Sequence, residues 1–281
     1  MRKLLATTLI AAAAWSGAAQ AQQRERTDAE PLQPYKIILV GDSTMAPHSG
    51  WGGAFCARHV KSSVACVNAG RGGRSTRSYR QEGSWDIALA EAKVPGYRAS
   101  YVLIQFGHND QSRQPERWTD ETTEFPANLR RFVEEVRAAG ATPVLVTPLV
   151  RREFRDGKLR NTLASWSDQV RSVAKAMDVP LVDLNALSAR HMQELGPEMA
   201  AQLAQEEPSA AELAAAKAGT TLPAPPNPPA PPPIAGNGPR GQVTRKFDHT
   251  HLGDIGAQVT ARLVTQALAQ AVPGLRSQLI R

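Results

Sequence analysis

Four short apolar runs constrain this chain more than any other feature: Lys36 to Val40, Tyr101 to Phe106, Thr142 to Thr147 and Pro180 to Asp183. They are rich in β-branched residues and lack period-two alternation, as strands covered on both faces of a parallel sheet do. Val64 to Asn68 is a fifth, weaker candidate. Helical patterns fill the gaps. Phe125, Leu129, Phe132, Val133 and Val136 share one helical face, ended by Gly140. Leu163, Trp166, Val170, Val173 and Met177 share another, and Ile255, Val259, Leu263, Ala267 and Leu268 a third. Strand and helix alternate from start to finish, which predicts an α/β fold: a three-layer α/β/α sandwich around a parallel sheet.

The N-terminal residues read as a targeting segment. Arg2 and Lys3 form a basic start, Leu4 to Ala14 an apolar run, and Ala19-Gln20-Ala21 a small-x-small cleavage site. Residues 1–21 are therefore expected to be a signal peptide, and residues 22–281 a single domain exported to the periplasm or beyond the cell. The apolar run is too short to cross a bilayer, and no transmembrane segment is expected. One stretch breaks the pattern: an Ala- and Pro-rich insertion at about residues 197–241. Its first part, residues 197–217, reads as helical, while Leu222 to Gly241 is dominated by proline and reads as an extended, solvated loop.

Net charge is +7, and removing Arg2 and Lys3 with the leader lowers it to +5. A basic exported protein suits an acidic partner such as a polyuronide. Nucleic acid is disfavoured, since the chain has no basic helix, zinc-ligand spacing or aromatic RNA-binding signature. Cys56 and Cys66 are the only cysteines. Export permits a disulfide between them, whereas the usual spacing of about 10 Å between helix and sheet layers opposes it. The sequence leaves their state open.

Chemistry-bearing residues cluster where such a sheet binds ligands, beyond the carboxyl ends of its strands. Gly41-Asp42-Ser43-Thr44-Met45 directly follows the first strand, exposing Ser43 as a candidate nucleophile. A serine nucleophile needs a base, and the base an orienting acid. Asp248-His249-Thr250-His251, just ahead of the last helix, supplies both: Asp248 can reach Nδ1 of His251 and leave Nε2 for the serine proton. A metal site built from the same Asp and His residues lacks a further ligand at suitable spacing. The glycine run Gly70-Arg71-Gly72-Gly73 follows the second strand, and Gly107-His108-Asn109-Asp110 the third. Glycine N–H groups and an Asn amide are suitable donors for an oxyanion. The glycine run lacks the Lys-Ser/Thr ending of a P-loop and the spacing of a dinucleotide fingerprint.

Taken in order, these blocks resemble the SGNH, or GDS, hydrolase family over most of the mature chain. The resemblance implies a flavodoxin-like fold with five parallel strands, and a catalytic triad of Ser43, Asp248 and His251. It also implies an oxyanion hole made by the N–H groups of Ser43 and Gly73 and the Asn109 amide, with no cofactor and no metal. Gly-Asp-Ser-Thr-Met, Gly50-Trp51-Gly52, Gly73-Arg74-Ser75-Thr76-Arg77-Ser78-Tyr79, Phe106-Gly107-His108-Asn109-Asp110 and Thr147-Pro148-Leu149-Val150-Arg151-Arg152 are similar to the rhamnogalacturonan acetylesterase branch. That branch removes acetyl groups from plant cell-wall polysaccharide, so acetylated pectin is the expected substrate. Arg74, Arg151 and Arg152 are the candidate contacts for its uronates, while Arg77 is at least as readily explained by a structural ion pair. An acetylxylan or peptidoglycan O-acetylesterase, a lipid or aryl ester hydrolase, and a non-catalytic glycan-binding protein are the competing readings. The insertion departs from the family pattern.

Overall fold

The computed structural model describes residues 33–223 and 246–281. The expected leader and most of the proline-rich part of the insertion lie outside the described residues. Within Pro34–Arg281 the strands are β1 (Tyr35–Gly41), β2 (Val64–Asn68), β3 (Ala99–Gln105), β4 (Thr142–Val146), a small hairpin β5 (Phe154–Arg155) and β6 (Lys158–Leu159), and β7 (Leu181–Val182). The helices are α1 (Gly52–Arg58), α2 (Thr76–Gln81), α3 (Ser84–Ala92), α4 (Glu124–Ala138), α5 (Ala164–Ala176), α6 (Leu184–Ala201), α7 (Ala210–Lys217) and α8 (Asp254–Ala271). None of the described helices is long and apolar enough to cross a membrane.

The main sheet has the order β2-β1-β3-β4-β7, with every neighbouring pair parallel. Successive side chains of β1 go to opposite layers. Ile38 and Val40 join Trp85 of α3, Phe132 of α4 and Val170 of α5, whereas Ile37 and Leu39 join Phe55 of α1 and Val264 of α8. The chain thus leaves β1 for one face and β3 for the other. The carboxyl ends of these two neighbouring strands form the switch point at which open α/β sheets bind ligands.

The α4 face is buried as its spacing predicts: Phe125, Leu129, Phe132, Val133 and Val136 are each 1% exposed or less. Burying side chains of this kind contributes about 1.5–3 kcal/mol each. The face expected on α8 is rotated. Leu268 is fully buried and Leu263 and Ala267 pack against the core as expected, but Ile255 is 64% exposed, and Gly256, Thr260, Ala261, Val264 and Thr265 face inward. Close approach explains this, because a Cβ on Gly256 would lie 2.4 Å from the Leu203 carbonyl oxygen. Small residues let α8 seat where a larger apolar face would not fit.

Cys56 and Cys66 form a disulfide with a Cα–Cα distance of 5.4 Å. Cys56 sits in the last turn of α1, and only residues 59–63 separate that helix from the edge strand β2. The helix therefore descends onto the strand more closely than two stacked layers would.

The helical part of the insertion is structured. α6 breaks at Gly196, whose φ is +74°, just before Pro197. Ala200 and Leu203 then pack with Val150, Phe154 and Met192 in a small separate core. The described flanks of the proline-rich segment both meet the chain that extends from β4. Thr221 N–H donates to the Phe154 carbonyl, and Arg152 N–H to that of His249.

Candidate active site

Ser43 is the second residue past β1 and 8% exposed. The turn that carries it is built from the strand end outward. Asp42 is fully buried, and its Oδ1 accepts the Thr44 N–H at 2.8 Å and the Thr44 hydroxyl at 2.7 Å, an Asx turn. Gln105 Nε2 donates to Thr44 Oγ1 at 2.6 Å, Trp51 Nε1 donates to Gln105 Oε1 at 2.8 Å, and Ser49 Oγ donates to the Ser43 carbonyl at 2.7 Å. Gly50 is required by contact, since a Cβ there would lie 2.0 Å from Thr44 backbone. The other oxygen of Asp42 lies 3.5 Å from His108 Nδ1. Burial pushes the Asp42 carboxyl up, but His108 and the Thr44 donors outweigh it and leave it below its ordinary value. Burial keeps the His108 imidazole low despite the attraction of Asp42.

Across the cleft, the loop ahead of α8 presents an aligned acid and base. His251 Nε2 lies 2.8 Å from Ser43 Oγ, and His251 Nδ1 lies 2.7 Å from Asp248 Oδ2. Asp248 Oδ1 accepts the N–H groups of Thr250 at 2.8 Å and His251 at 2.7 Å, so one carboxylate shapes the loop and orients the ring. Burial raises the Asp248 carboxyl. The bond and charge of His251, then the two loop N–H groups, hold it well below the usual carboxylate range. The ionised acid fixes a tautomer with Nδ1 protonated and Nε2 free to accept the hydroxyl proton.

Two more loops bring donors to the same face. Gly73 has φ +77°, a left-handed conformation that favours glycine, while a Cβ there would only touch the Arg117 guanidinium at 3.4 Å. The N–H groups of Ser43 and Gly73 donate to no protein acceptor among the described residues. Asn109 Nδ2 donates to the Arg74 carbonyl at 3.0 Å, which ties the loop after β3 to the loop after β2 and leaves its second hydrogen available. Asp110 strengthens that tie. It is fully buried, accepts the N–H and hydroxyl of Thr76 and the hydroxyl of Thr119, and is pushed up to about 7 chiefly by burial.

The arginines expected to meet substrate fall in three different settings. Arg74 lines the cleft but is paired with Glu82 at 2.8 Å and donates to the Gly72 carbonyl at 2.7 Å. Arg151 is half-buried and donates to Thr162 Oγ1 at 2.9 Å. Arg152 is 1% exposed and turned onto the main chain of the acid–base loop, where no polysaccharide reaches it. Its expected substrate contact does not fit this placement. Arg77 forms an ion pair with Glu124.

An open cleft of about 660 Å³ contains Ser43 and His251, with Arg71, Arg74, Gln205 and Lys246 in its walls and no carboxylate among its described lining residues. Arg71, Gln205 and Lys246 are cleft residues to which the motifs that mark the site in the sequence give no role. Position within the glycine run and proximity to Asp248 were the available signals for the two cations. Gln205 carries none, for it belongs to the insertion and reaches the site by donating to the His48 carbonyl.

The chain is similar to known proteins in sequence and in fold. The sequence pattern of the GDSL-like lipase/acylhydrolase family matches residues 39–259. Rhamnogalacturonan acetylesterase RhgT of Bacillus subtilis (strain 168) is 37% identical over 179 residues, which cover 61% of this chain and 74% of that protein. The crystal structure of protein YxiM from Bacillus subtilis superposes with a TM-score of 0.63 at 22% identity, covering 87% of this chain and 59% of that one. Axe2, an acetylxylan esterase from Geobacillus stearothermophilus, superposes with a TM-score of 0.53 at 17% identity, covering 86% of this chain and 96% of that one. At these identities the two structures share the fold alone.

Proposed function

The chain belongs to the GDSL-like lipase/acylhydrolase family, and from that premise we propose that it is a serine esterase that removes O-acetyl groups from polysaccharide, with acetylated pectin of the rhamnogalacturonan type as its substrate. The observation that carries this reading is the unbroken relay from Asp248 through His251 to Ser43, at 2.7 and 2.8 Å, opening into a cleft walled by cations.

In the first step Ser43 Oγ attacks the acetyl carbonyl while His251 Nε2 takes its proton, and Asp248 stabilises the imidazolium. The N–H groups of Ser43 and Gly73 and the free hydrogen of the Asn109 amide receive the negative oxygen of the tetrahedral intermediate. His251 returns the proton to the departing sugar hydroxyl. Water then repeats the sequence on the acetyl-serine, releasing acetate and restoring Ser43. The cycle is written with the side chains and backbone N–H groups of this chain and water.

Substrate class rests on charge. Arg71 and Lys246 add to Arg74 around the nucleophile, the two arginines sharing the single carboxylate of Glu82 at 3.7 and 2.8 Å, and a guanidinium fork holds a uronate carboxylate through two parallel bonds. The relationship to RhgT supports the same class. The expected signal peptide and the Cys56–Cys66 disulfide together favour an exported enzyme.

The test is acetate release from sugar-beet-type pectin and from acetylated xylan, each at low and high ionic strength. Pectin should be preferred, and the preference should shrink with salt as the Debye length falls from about 10 Å at 0.1 M to about 3 Å at 1 M. Equal or faster release from xylan, with no salt effect on either polymer, would reject the polyuronide assignment and leave the esterase chemistry untouched.

A further inference from the structure

The acid–base loop is gripped from outside by one residue. Arg152 N–H donates to the His249 carbonyl at 2.8 Å, and Arg152 Nη2 donates to the carbonyls of Asp248 at 2.7 Å and His251 at 2.8 Å. Nη1 lies 3.5 Å from the Thr250 carbonyl. All four carbonyls from Asp248 to His251 therefore face Arg152, while the N–H groups of Thr250 and His251 turn inward to Asp248 Oδ1. The loop is held between a carboxylate within it and a guanidinium behind it.

That arrangement is more than carbonyl satisfaction needs. Water would satisfy the same oxygens at a surface, yet here a charge is taken out of solvent and Nε is left without a partner among the described residues. Burial pushes the guanidinium down to about 10 against the attraction of Asp248, so it stays charged at neutral pH. What a buried planar fork adds is rigidity, because it fixes several main-chain oxygens at once. It stands on the segment leaving β4, a strand inside the sheet, and so refers the loop directly to the scaffold that also positions Ser43.

We infer that Arg152 is the positioning residue of the acid–base loop: it holds the Asp248–His251 main chain in register with Ser43 and does not bind substrate. This rests on the esterase reading above. Both relay contacts are already at hydrogen-bond length, and a displacement of about 1 Å at such a site costs on the order of 10²-fold in rate.

The experiment compares Arg152→Met, Arg152→Lys and Ser43→Ala with the parent enzyme on 4-nitrophenyl acetate, after melting curves have shown which variants are folded. Arg152→Met should lower kcat by about 10²-fold with KM held within about twofold, and Arg152→Lys should recover part of that loss. The low-field proton resonance of the His251 Nδ1–H bond to Asp248 should weaken in the Met variant. A folded Arg152→Met protein with parental kcat overturns the assignment. So does a raised KM at unchanged kcat, which would return Arg152 to substrate binding. Should the Met variant not fold, Arg152→Lys decides alone, and parental kcat there rejects a role for the planar fork. Activity retained in Ser43→Ala would refute the esterase reading itself, whatever the Arg152 variants do.

Discussion

Two loops at the carboxyl end of the sheet begin with the same device and use it differently. In each, one oxygen of an Asp accepts backbone N–H groups two or three residues on: Asp42 for Thr44, and Asp248 for Thr250 and His251. The second oxygen also meets a histidine in both. Asp42 Oδ2 lies 3.5 Å from His108, and both side chains are buried. Asp248 Oδ2 lies 2.7 Å from His251, whose side chain is about a quarter exposed (26%) and whose other nitrogen reaches Ser43. The first pair stabilises a turn that is already an extension of β1. The second has to orient a ring at the mouth of a cleft, on a loop with no strand beneath it, and it is backed by the Arg152 clamp. What fits an Asp–His pair for acid–base chemistry is thus where its free nitrogen points and not its composition.

The same isosteric change at both aspartates separates these roles most sharply. Asp248→Asn should lower kcat by about 10⁴-fold on a small acetate ester, because an amide donor in place of the carboxylate favours the wrong imidazole tautomer. Stability follows the same carboxylate. Its value is depressed in the folded protein, so its contribution is present above the ordinary carboxylate range and is lost as pH falls through the folded value. The stability gap between parent and Asp248→Asn should accordingly narrow in acid, as read from melting curves against pH. A kcat within tenfold of the parent would remove Asp248 from the relay.

Asn109→Ala is expected to have an intermediate effect, lowering kcat by about 10²- to 10³-fold with a smaller change in KM, as for other oxyanion donors. Steady-state kinetics on the same ester decides it. A raised KM with kcat intact would make Asn109 a substrate contact instead.

Asp42→Asn should matter least. The amide oxygen still accepts from Thr44, and the loss is the difference between a charged and a neutral acceptor, about 1 kcal/mol, or no more than about tenfold in kcat. If the two Asp→Asn variants lose activity equally, the distinction between a turn-forming and a ring-orienting aspartate collapses.

What could be read from the sequence divides along the same physical line. Strands buried on both faces announce themselves as continuous β-branched runs, and all five lie where their runs fall, though Pro180 to Asp183 contracts to the two-residue β7. Ser43, Gly73, Asn109, Asp248 and His251 stand at strand ends or just before a helix, positions that converge in a doubly wound sheet: Ser43, Gly73 and His251 line one cleft, Asp248 pairs with His251, and Asn109 donates to the Arg74 carbonyl. Contacts set by close approach were not legible. Apolar periodicity pointed Ile255 inward, but Gly256, Thr260 and Ala261 let α8 sit closer to its neighbours. Layer spacing opposed a disulfide that the end of a short helix makes easily. Arg152 looked like a ligand for anions because sequence shows its charge but not its burial, and Gln205 reached the site from a segment whose composition showed only a helical pattern.

The central claim is that Ser43 is the nucleophile of an ester-cleaving relay, and acetate release by folded Ser43→Ala protein tests it most directly. Removing a serine nucleophile from such a relay costs on the order of 10⁶-fold in kcat, while loss of one hydroxyl at a turn should leave stability within a few tenths to about 1 kcal/mol of the parent. The account predicts a normal melting curve and acetate release on the order of 10⁶-fold slower than the parent's. Acetate released at the parental rate by a cleanly folded Ser43→Ala protein would contradict it.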